Sequence, residues 1–250
     1  MIAIDRVMDK LDSHLHRNDY AAAQRHLIYW LDEARMVRDS RAELFILNEL
    51  MGLYRKTGKR DEAIDCAKKA FCFTENESAF GSIAAATTYI NAATVYKAFS
   101  MPEESIILFD KACEIYEREL PENDARLGGL YNNMALTLTD LSRFDEAEKT
   151  YKKAIRIVEG LPDREGEMAI SYLNLANLIE KKKGLVDGDE QIRAYLDIAE
   201  NLLDKHTRRD GYYAFVCEKC ASVFGYYGRF LYEKTLRDRA REIYEREGRR

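Results

Sequence analysis

The chain has 250 residues, with only 13 glycines and 3 prolines, and its formal net charge at pH 7 is −5. Because every strand end in a sandwich or barrel needs turn-forming residues, this composition argues against a many-stranded β fold. A hydrophobic fraction of 46% is typical of a folded chain rather than a disordered one. The acidic balance gives no reason to expect nonspecific binding to nucleic acid.

The cysteines and the N-terminal residues indicate a cellular compartment. Five cysteines are an odd number in a chain of this size, which favours free thiols in a reducing compartment over a disulfide framework. Charged residues between Asp5 and Lys10 interrupt any apolar signal sequence. No apolar run approaches the ~18 residues needed to span a bilayer. We therefore expect a soluble, cytoplasmic protein with neither a membrane nor a nucleic acid as its partner.

Residues 1–40 fit an amphipathic helix pair only loosely. Their apolar positions at approximately helical spacing are Leu11, Leu15, Ala23, Leu27 and Trp30. The sequence therefore predicts helices from close to the first residue, but with a weaker pattern than the residues that follow.

Residues 44–180 repeat with a period of 42 residues. The recurrence is visible in three sets: Ala63, Ser105 and Ala147; Ala70, Ala112 and Ala154; and Asn91, Asn133 and Asn174, where the last step is 41. Each copy reads as a helix, a short turn and a second helix. In one copy the apolar stripe of the first helix runs from Tyr131 to Leu138, and Phe144 opens the second helix. Acidic residues follow Phe144 directly, where the helix dipole favours negative charge.

The pattern becomes irregular after residue 180. The next copy has a surplus of residues at 181–189, which we interpret as a longer loop. The last copy, 208–250, places Cys217 and Cys220 on an apolar stripe and has Glu233 where the other copies have a small residue. Atypical end copies are expected in a stack of repeats, because an end copy has no neighbour on one side.

The regular copies resemble the tetratricopeptide repeat. The match in one copy reads Tyr131, Met134, Ala135, Leu138, Ala147, Tyr151 and Ala154. The period of 42 residues exceeds the usual 34 and is similar to the kinesin-light-chain subclass, although the heptad region of that motor subunit has no counterpart here. The resemblance implies an all-α fold, a right-handed α-solenoid of about six antiparallel helix pairs. It would form one solenoid over residues 1–250, with the best repeats at 44–180 and degenerate end repeats at 1–40 and 208–250.

The resemblance also implies where a partner binds. In this family the first helices line a concave face, and the residues one, two and five positions after each aromatic point to it. An asparagine amide offers a donor and an acceptor to the backbone of an extended peptide. The predicted peptide-binding residues are Asn48, Arg55, Asn91, Lys97, Asn132, Asn133, Asn174 and Asn177.

Both parts of this predicted site have a simpler interpretation. The asparagines would also suit hydrogen bonds between neighbouring helices that hold the stack together. Arg55 and Lys97 would meet an acidic side chain or a C-terminal carboxylate, and Asp140 and Glu180 take comparable places in later copies. The alternative for all four charged residues is that they are solvated helix ends.

Metal and redox chemistry receives little support from the sequence. Cys217 and Cys220 have the spacing of half a zinc site or a redox pair, but no second pair follows and both lie on an apolar stripe. We interpret them as core residues. His14 and His16 are two positions apart and point to different sides of a helix, so a metal site with His26 is not expected. No phosphate-binding loop, dinucleotide fingerprint or nucleophile elbow occurs.

The sequence therefore predicts a non-enzymatic scaffold, without cofactor or metal, that binds an extended peptide or a partner helix in its concave groove. One alternative is a peptide-sensing regulator, similar in repeat architecture to bacterial sensors but without their DNA-binding domain. Another is a structural protein that assembles with copies of itself. An enzyme of unrecognised type is the last. The oligomeric state is left open.

Overall fold

A computed structural model describes residues 1–74, 82–246 and 248. The described residues form helices and no strand. The helices are α1 (Ile4–His16), α2 (Tyr20–Met36), α3 (Ser40–Lys56), α4 (Arg60–Thr74), α5 (Ser82–Ala98), α6 (Pro102–Glu119), α7 (Ala125–Asp140), α8 (Phe144–Glu159), α9 (Glu165–Lys205), α10 (Gly211–Tyr226) and α11 (Phe230–Arg246). Residues 75–81 of the predicted repeat region lie outside the described part of the chain.

The chain divides into two compact units, Met1–Leu120 and Pro121–Arg250. In the first unit, α1 packs on α2, α2 on α3, α3 on α4, α4 on α5 and α5 on α6. In the second unit, α7 packs on α8, α8 on α9, α9 on α10 and α10 on α11. Each unit is thus a succession of neighbouring helices, as the repeated pattern predicts. The prediction that residues 1–250 form one solenoid stays a prediction.

The repeated small residues lie where helices of one pair meet. Ala63 and Ala147 are fully buried, and so is Ser105, whose hydroxyl donates to the backbone oxygen of Ala93 at 2.8 Å. A larger side chain there would separate the two helices. Tyr151, one turn further along α8, is also fully buried and fills the space beyond.

The turn between the two helices of each pair contains one residue in the left-handed backbone region. These residues are Asn18, Gly58, Ser100, Ser142, Gly184 and Gly228, with φ between 53° and 81°. The turn after α7 shows the common geometry, with the amide of Arg143 donating to the oxygen of Leu138 at 2.9 Å. A bond of this type satisfies a carbonyl that the end of the helix leaves free.

The loop predicted at 181–189 is wrong. The helical conformation of α9 continues from Glu165 to Lys205 and is interrupted only at Gly184, where φ is 81° and ψ is 170°. Gly184 separates a first segment (165–183) from a second segment (185–205). A single glycine suffices because it adopts positive φ without the steric cost that other residues carry. The surplus residues therefore extend the two helical segments.

The last helix pair accommodates its unusual glutamate through a glycine. A Cβ atom on Gly225 of α10 would lie 2.6 Å from Cδ of Glu233 on α11. The absence of a side chain at 225 therefore makes room for the carboxylate at 233. This explains how Glu233 occupies a position that is small in the regular copies.

Candidate functional site

In the first unit, two asparagines join neighbouring first helices. Nδ2 of Asn91 on α5 donates to Oδ1 of Asn48 on α3 at 2.8 Å. Nδ2 of Asn48 in turn donates to Oγ1 of Thr88 at 3.1 Å and to the backbone oxygen of Leu44 at 2.9 Å. Asn48 thereby uses both amide hydrogens and one acceptor position within the protein.

The second unit repeats this arrangement. Nδ2 of Asn174 on α9 donates to Oδ1 of Asn132 on α7 at 3.2 Å. The hydroxyl of Ser171 also lies 3.1 Å from Oδ1 of Asn132. The same two positions pair in both units. The acceptor is the asparagine directly after the aromatic or leucine of one copy, and the donor is the asparagine two positions after the aromatic of the next copy. The structure thus brings together Asn48 with Asn91, and Asn132 with Asn174.

These bonds leave room for both interpretations of the asparagines, as links between helices and as ligand-binding groups. The amides do connect neighbouring first helices, as the structural alternative holds. Asn91 and Asn174, however, each donate one amide hydrogen to the asparagine of the preceding copy. The carbonyl oxygen and the second amide hydrogen of each are left for another partner. Both side chains are half-buried rather than covered.

Asn133 differs from its neighbour Asn132. Its side chain is half-buried, and no hydrogen bond of its amide is found among the described residues. Only its backbone oxygen has a side-chain partner, the hydroxyl of Thr137 at 3.4 Å. Leu173, the position directly after Tyr172, is 2% exposed and therefore does not contribute to the face. We call the half-buried residues Asn133, Asn174 and Asn177 of the second unit the amide face; Asn91 takes the equivalent position in the first unit.

Asn177 belongs to a cluster that spacing alone did not identify. The hydroxyl of Tyr227 lies 2.9 Å from Oδ1 of Asn177 and 2.7 Å from Oε2 of Glu180. The hydroxyl of Tyr226 donates to Oε1 of the same carboxylate. The pKa of Tyr226 is raised by its hydrogen bond to Glu180, and burial raises the pKa of Tyr227, so both phenols stay protonated as donors. The adjacent tyrosines at 226–227 were the feature of the sequence that could have indicated this cluster.

An open cavity of about 540 Å³ adjoins this cluster in the second unit. Its wall includes Leu136 and Asn177, which both stand five positions after an aromatic in their copies. It also includes Asp140, Glu180, Val223 and Tyr226. The cavity therefore lies at positions that the family pattern assigns to the concave face.

Comparison with known proteins relates this architecture to a repeat family. Residues 129–157 match the family model of the tetratricopeptide repeat. The structure is similar to that of BtubC (BKLC) from P. vanneervenii, with a TM-score of 0.61 and 18% identity over 93% of this chain and 92% of that one. The chain has the tetratricopeptide-repeat fold. The predicted all-α solenoid class is confirmed.

Two further structures share the tetratricopeptide-repeat fold with this chain. One is a putative kinesin light chain from Podosopora anserina with nearly identical repeats, at a TM-score of 0.55 and 15% identity over 83% of this chain and 97% of that one. The other is the quorum sensor NprR from B. thuringiensis, at a TM-score of 0.59 and 18% identity over 96% of this chain and 64% of that one. None of the curated proteins is significantly similar in sequence.

The predicted cations lie at helix ends of the tetratricopeptide-repeat fold. Arg55 and Lys97 fall in the last turns of α3 and α5, where the helix dipole favours positive charge. Lys56, beside Arg55, places its ammonium 5.0 Å from the ring centre of Tyr20. This placement agrees with the simpler interpretation as helix ends, and a role of Arg55 and Lys97 in binding stays a prediction.

Cys217 and Cys220 are core residues of the last repeat, as predicted. They are 0% and 1% exposed, and burial raises their pKa values to about 11 and about 12. Both thiols are therefore protonated at neutral pH, whereas nucleophiles and metal ligands are thiolates. No group of three or more metal-ligating side chains occurs within the described ranges. In that same part of the chain, no helix has the length and apolar character needed to cross a bilayer.

Proposed function

We propose that this protein is a non-enzymatic interaction scaffold that binds an extended peptide segment along the first helices of its repeats. The observation that carries the proposal is the amide face of the second unit, in which Asn133, Asn174 and Asn177 each retain unused donor or acceptor groups. An extended peptide presents N–H and C=O groups at regular intervals, which such amides match. Each hydrogen bond contributes about 0.5–1.5 kcal/mol net.

Structural similarity supports a peptide ligand. The sensor NprR has also been crystallised with its cognate peptide NprX, and in that complex it has a TM-score of 0.59 with this chain at 16% identity. This favours a peptide-sensing regulator as the second candidate function. We also propose a cytoplasmic location, because five cysteines, an odd number, favour free thiols in a reducing compartment.

A selection experiment tests the proposal. A phage library of random peptides is panned on the immobilised full chain, and enriched peptides are titrated against the wild type and the triple variant Asn91→Ala, Asn133→Ala, Asn174→Ala. The proposal expects enriched peptides whose affinity drops at least tenfold in the triple variant. Enriched peptides that bind both proteins equally, or no enrichment at all, would contradict it. A solution mass showing a tight dimer that excludes peptide would favour self-assembly instead.

A further inference from the structure

The cavity beside Tyr226 carries an excess of negative charge. Of the ionisable carboxylate and ammonium groups in its wall, Asp140 and Glu180 are acidic and Lys181 is basic. We call it the Glu180 cavity. A ligand group that enters it therefore meets a net negative surface.

The carboxylate of Glu180 is held in place by hydrogen bonds but keeps unused acceptor positions. The two tyrosine hydroxyls occupy one position on each of its oxygens. A carboxylate has about four acceptor positions, so about two remain for a ligand. Because Tyr226 and Tyr227 fix its orientation without neutralising it, Glu180 is a preorganised negative group.

The positive group in the wall does not block the cavity. Nζ of Lys181 lies 3.1 Å from Oδ1 of Asp140, and the two side chains are 52% and 35% exposed. Exposed ion pairs of this kind contribute little to stability, so a cation on a ligand can replace Lys181 beside Asp140 at small cost.

The remaining wall suits the stem of a long basic side chain. Leu136 and Val223 supply apolar surface, and Tyr226 is 64% exposed. Lysine and arginine pack their methylene groups on apolar surface while the charged end reaches a polar group. An exposed tyrosine ring adds an attraction for the cation. Apolar walls that lead to a fixed carboxylate thus match a basic residue better than an acidic or a purely apolar one.

We propose that the Glu180 cavity takes a lysine or arginine side chain of the bound peptide. The inference rests on the proposed function and adds the chemical class of the ligand. Salt should weaken the interaction, because a charge pair at the surface is screened.

Peptides enriched by panning on the full chain test this inference. We expect them to share a basic residue, and replacing arginine by citrulline or lysine by norleucine should weaken binding about tenfold. Glu180→Gln should lower the affinity for the original peptide by a similar factor. It should hardly change the affinity for the peptide that carries citrulline or norleucine. Glu190→Gln, an exposed acid on α9 outside the cavity wall, serves as the matched control. Thermal unfolding of each variant checks that the fold persists.

The outcomes separate this inference from the proposed function. Peptides that lose affinity in Asn133→Ala but share no basic residue, or that bind Glu180→Gln as tightly as the wild type, would overturn the inference and leave the proposed function standing. Failure to enrich peptides, or peptides insensitive to every substitution in the amide face, would overturn both.

Discussion

Nδ2 of Asn174 lies 3.2 Å from Oδ1 of Asn132, on the first helix of the preceding copy. Asn133, the next residue along α7, has no such bond within the described part of the chain. Two adjacent asparagines therefore differ in the hydrogen bonds that their side chains make to neighbouring helices. This makes them a matched pair for experiment.

Substituting the two residues should affect stability differently. Asn132→Ala removes the acceptor of Asn174 and Ser171, and we expect it to lower the free energy of unfolding by about 1–2 kcal/mol. Asn133→Ala should change it by less than about 0.5 kcal/mol, because no bond of its side chain is lost. Urea unfolding followed by circular dichroism measures both. Equal losses in the two variants would show that Asn133 also holds the helices together.

A glycine in the turn after α7 should stabilise the protein. Ser142 adopts φ of 58°, a region that costs a residue with a side chain roughly 1 kcal/mol more than glycine. Ser142→Gly should therefore raise the free energy of unfolding by up to about 1 kcal/mol, less the greater entropy of glycine in the unfolded chain. Ser142→Ala is the control and should bring no such gain. The prediction fails if both variants shift the unfolding midpoint alike.

Gly225 and Glu233 should behave as a coupled pair. Gly225→Ala places a methyl group against the Glu233 carboxylate, which must move aside. Because this carboxylate is the flexible end of its side chain and alanine favours a helix over glycine, we expect the free energy of unfolding to change by less than about 1 kcal/mol. Glu233→Ala alone loses its ion pair with Arg237, which is exposed and of small value. In the double variant the methyl group meets no carboxylate, so this variant should be more stable than the two single changes together predict, with a coupling energy of about 0.5 kcal/mol in a double-mutant cycle. Strictly additive losses would refute the proposed fit.

Thiol reactivity should follow burial. Cys72 is exposed, whereas Cys66, Cys217 and Cys220 are buried. Burial raises the pKa of Cys66 to about 11, so at pH 8 this thiol, like Cys217 and Cys220, is almost entirely in the unreactive protonated form. A chromogenic disulfide reagent at pH 8 should label Cys72 quickly and the three buried thiols only in denaturant. Rapid labelling of Cys217 or Cys220 in the native state would instead support a redox pair.

Periodicity was sufficient to predict the helix pairs and their small buried contacts. Ala63, Ser105 and Ala147 are buried as the 42-residue pattern requires, because packing two helices closely depends on side-chain size at fixed spacing. The pattern also contained the turn that we misread as a loop. Gly184 follows Ser142 by 42 positions, and both adopt positive φ. A loop at 181–189 was inferred from surplus length, although length does not show whether the extra residues enter a turn or the helices.

The candidate site was less predictable for a physical reason. Asn133 takes the same position in its copy as Asn91 and Asn174, and in both units the acceptor of that position is the residue directly after the aromatic or leucine of the preceding copy. Which two positions of neighbouring helices meet depends on how the helices are rotated against each other, and the period alone does not give that rotation. The contact of Tyr227 with Glu180 joins residues 47 positions apart, beyond the regular period, so the repeat did not reveal it.

The affinity of one enriched peptide for Asn133→Ala tests the central claim most directly. Asn201→Ala, an exposed asparagine on the second segment of α9, is the matched control. Calorimetric titration should show about tenfold weaker binding for Asn133→Ala, the loss of one or two hydrogen bonds, with an unchanged unfolding temperature. Asn201→Ala should bind like the wild type. Equal affinity of all three proteins for the peptide would contradict a ligand-binding role for the amide face.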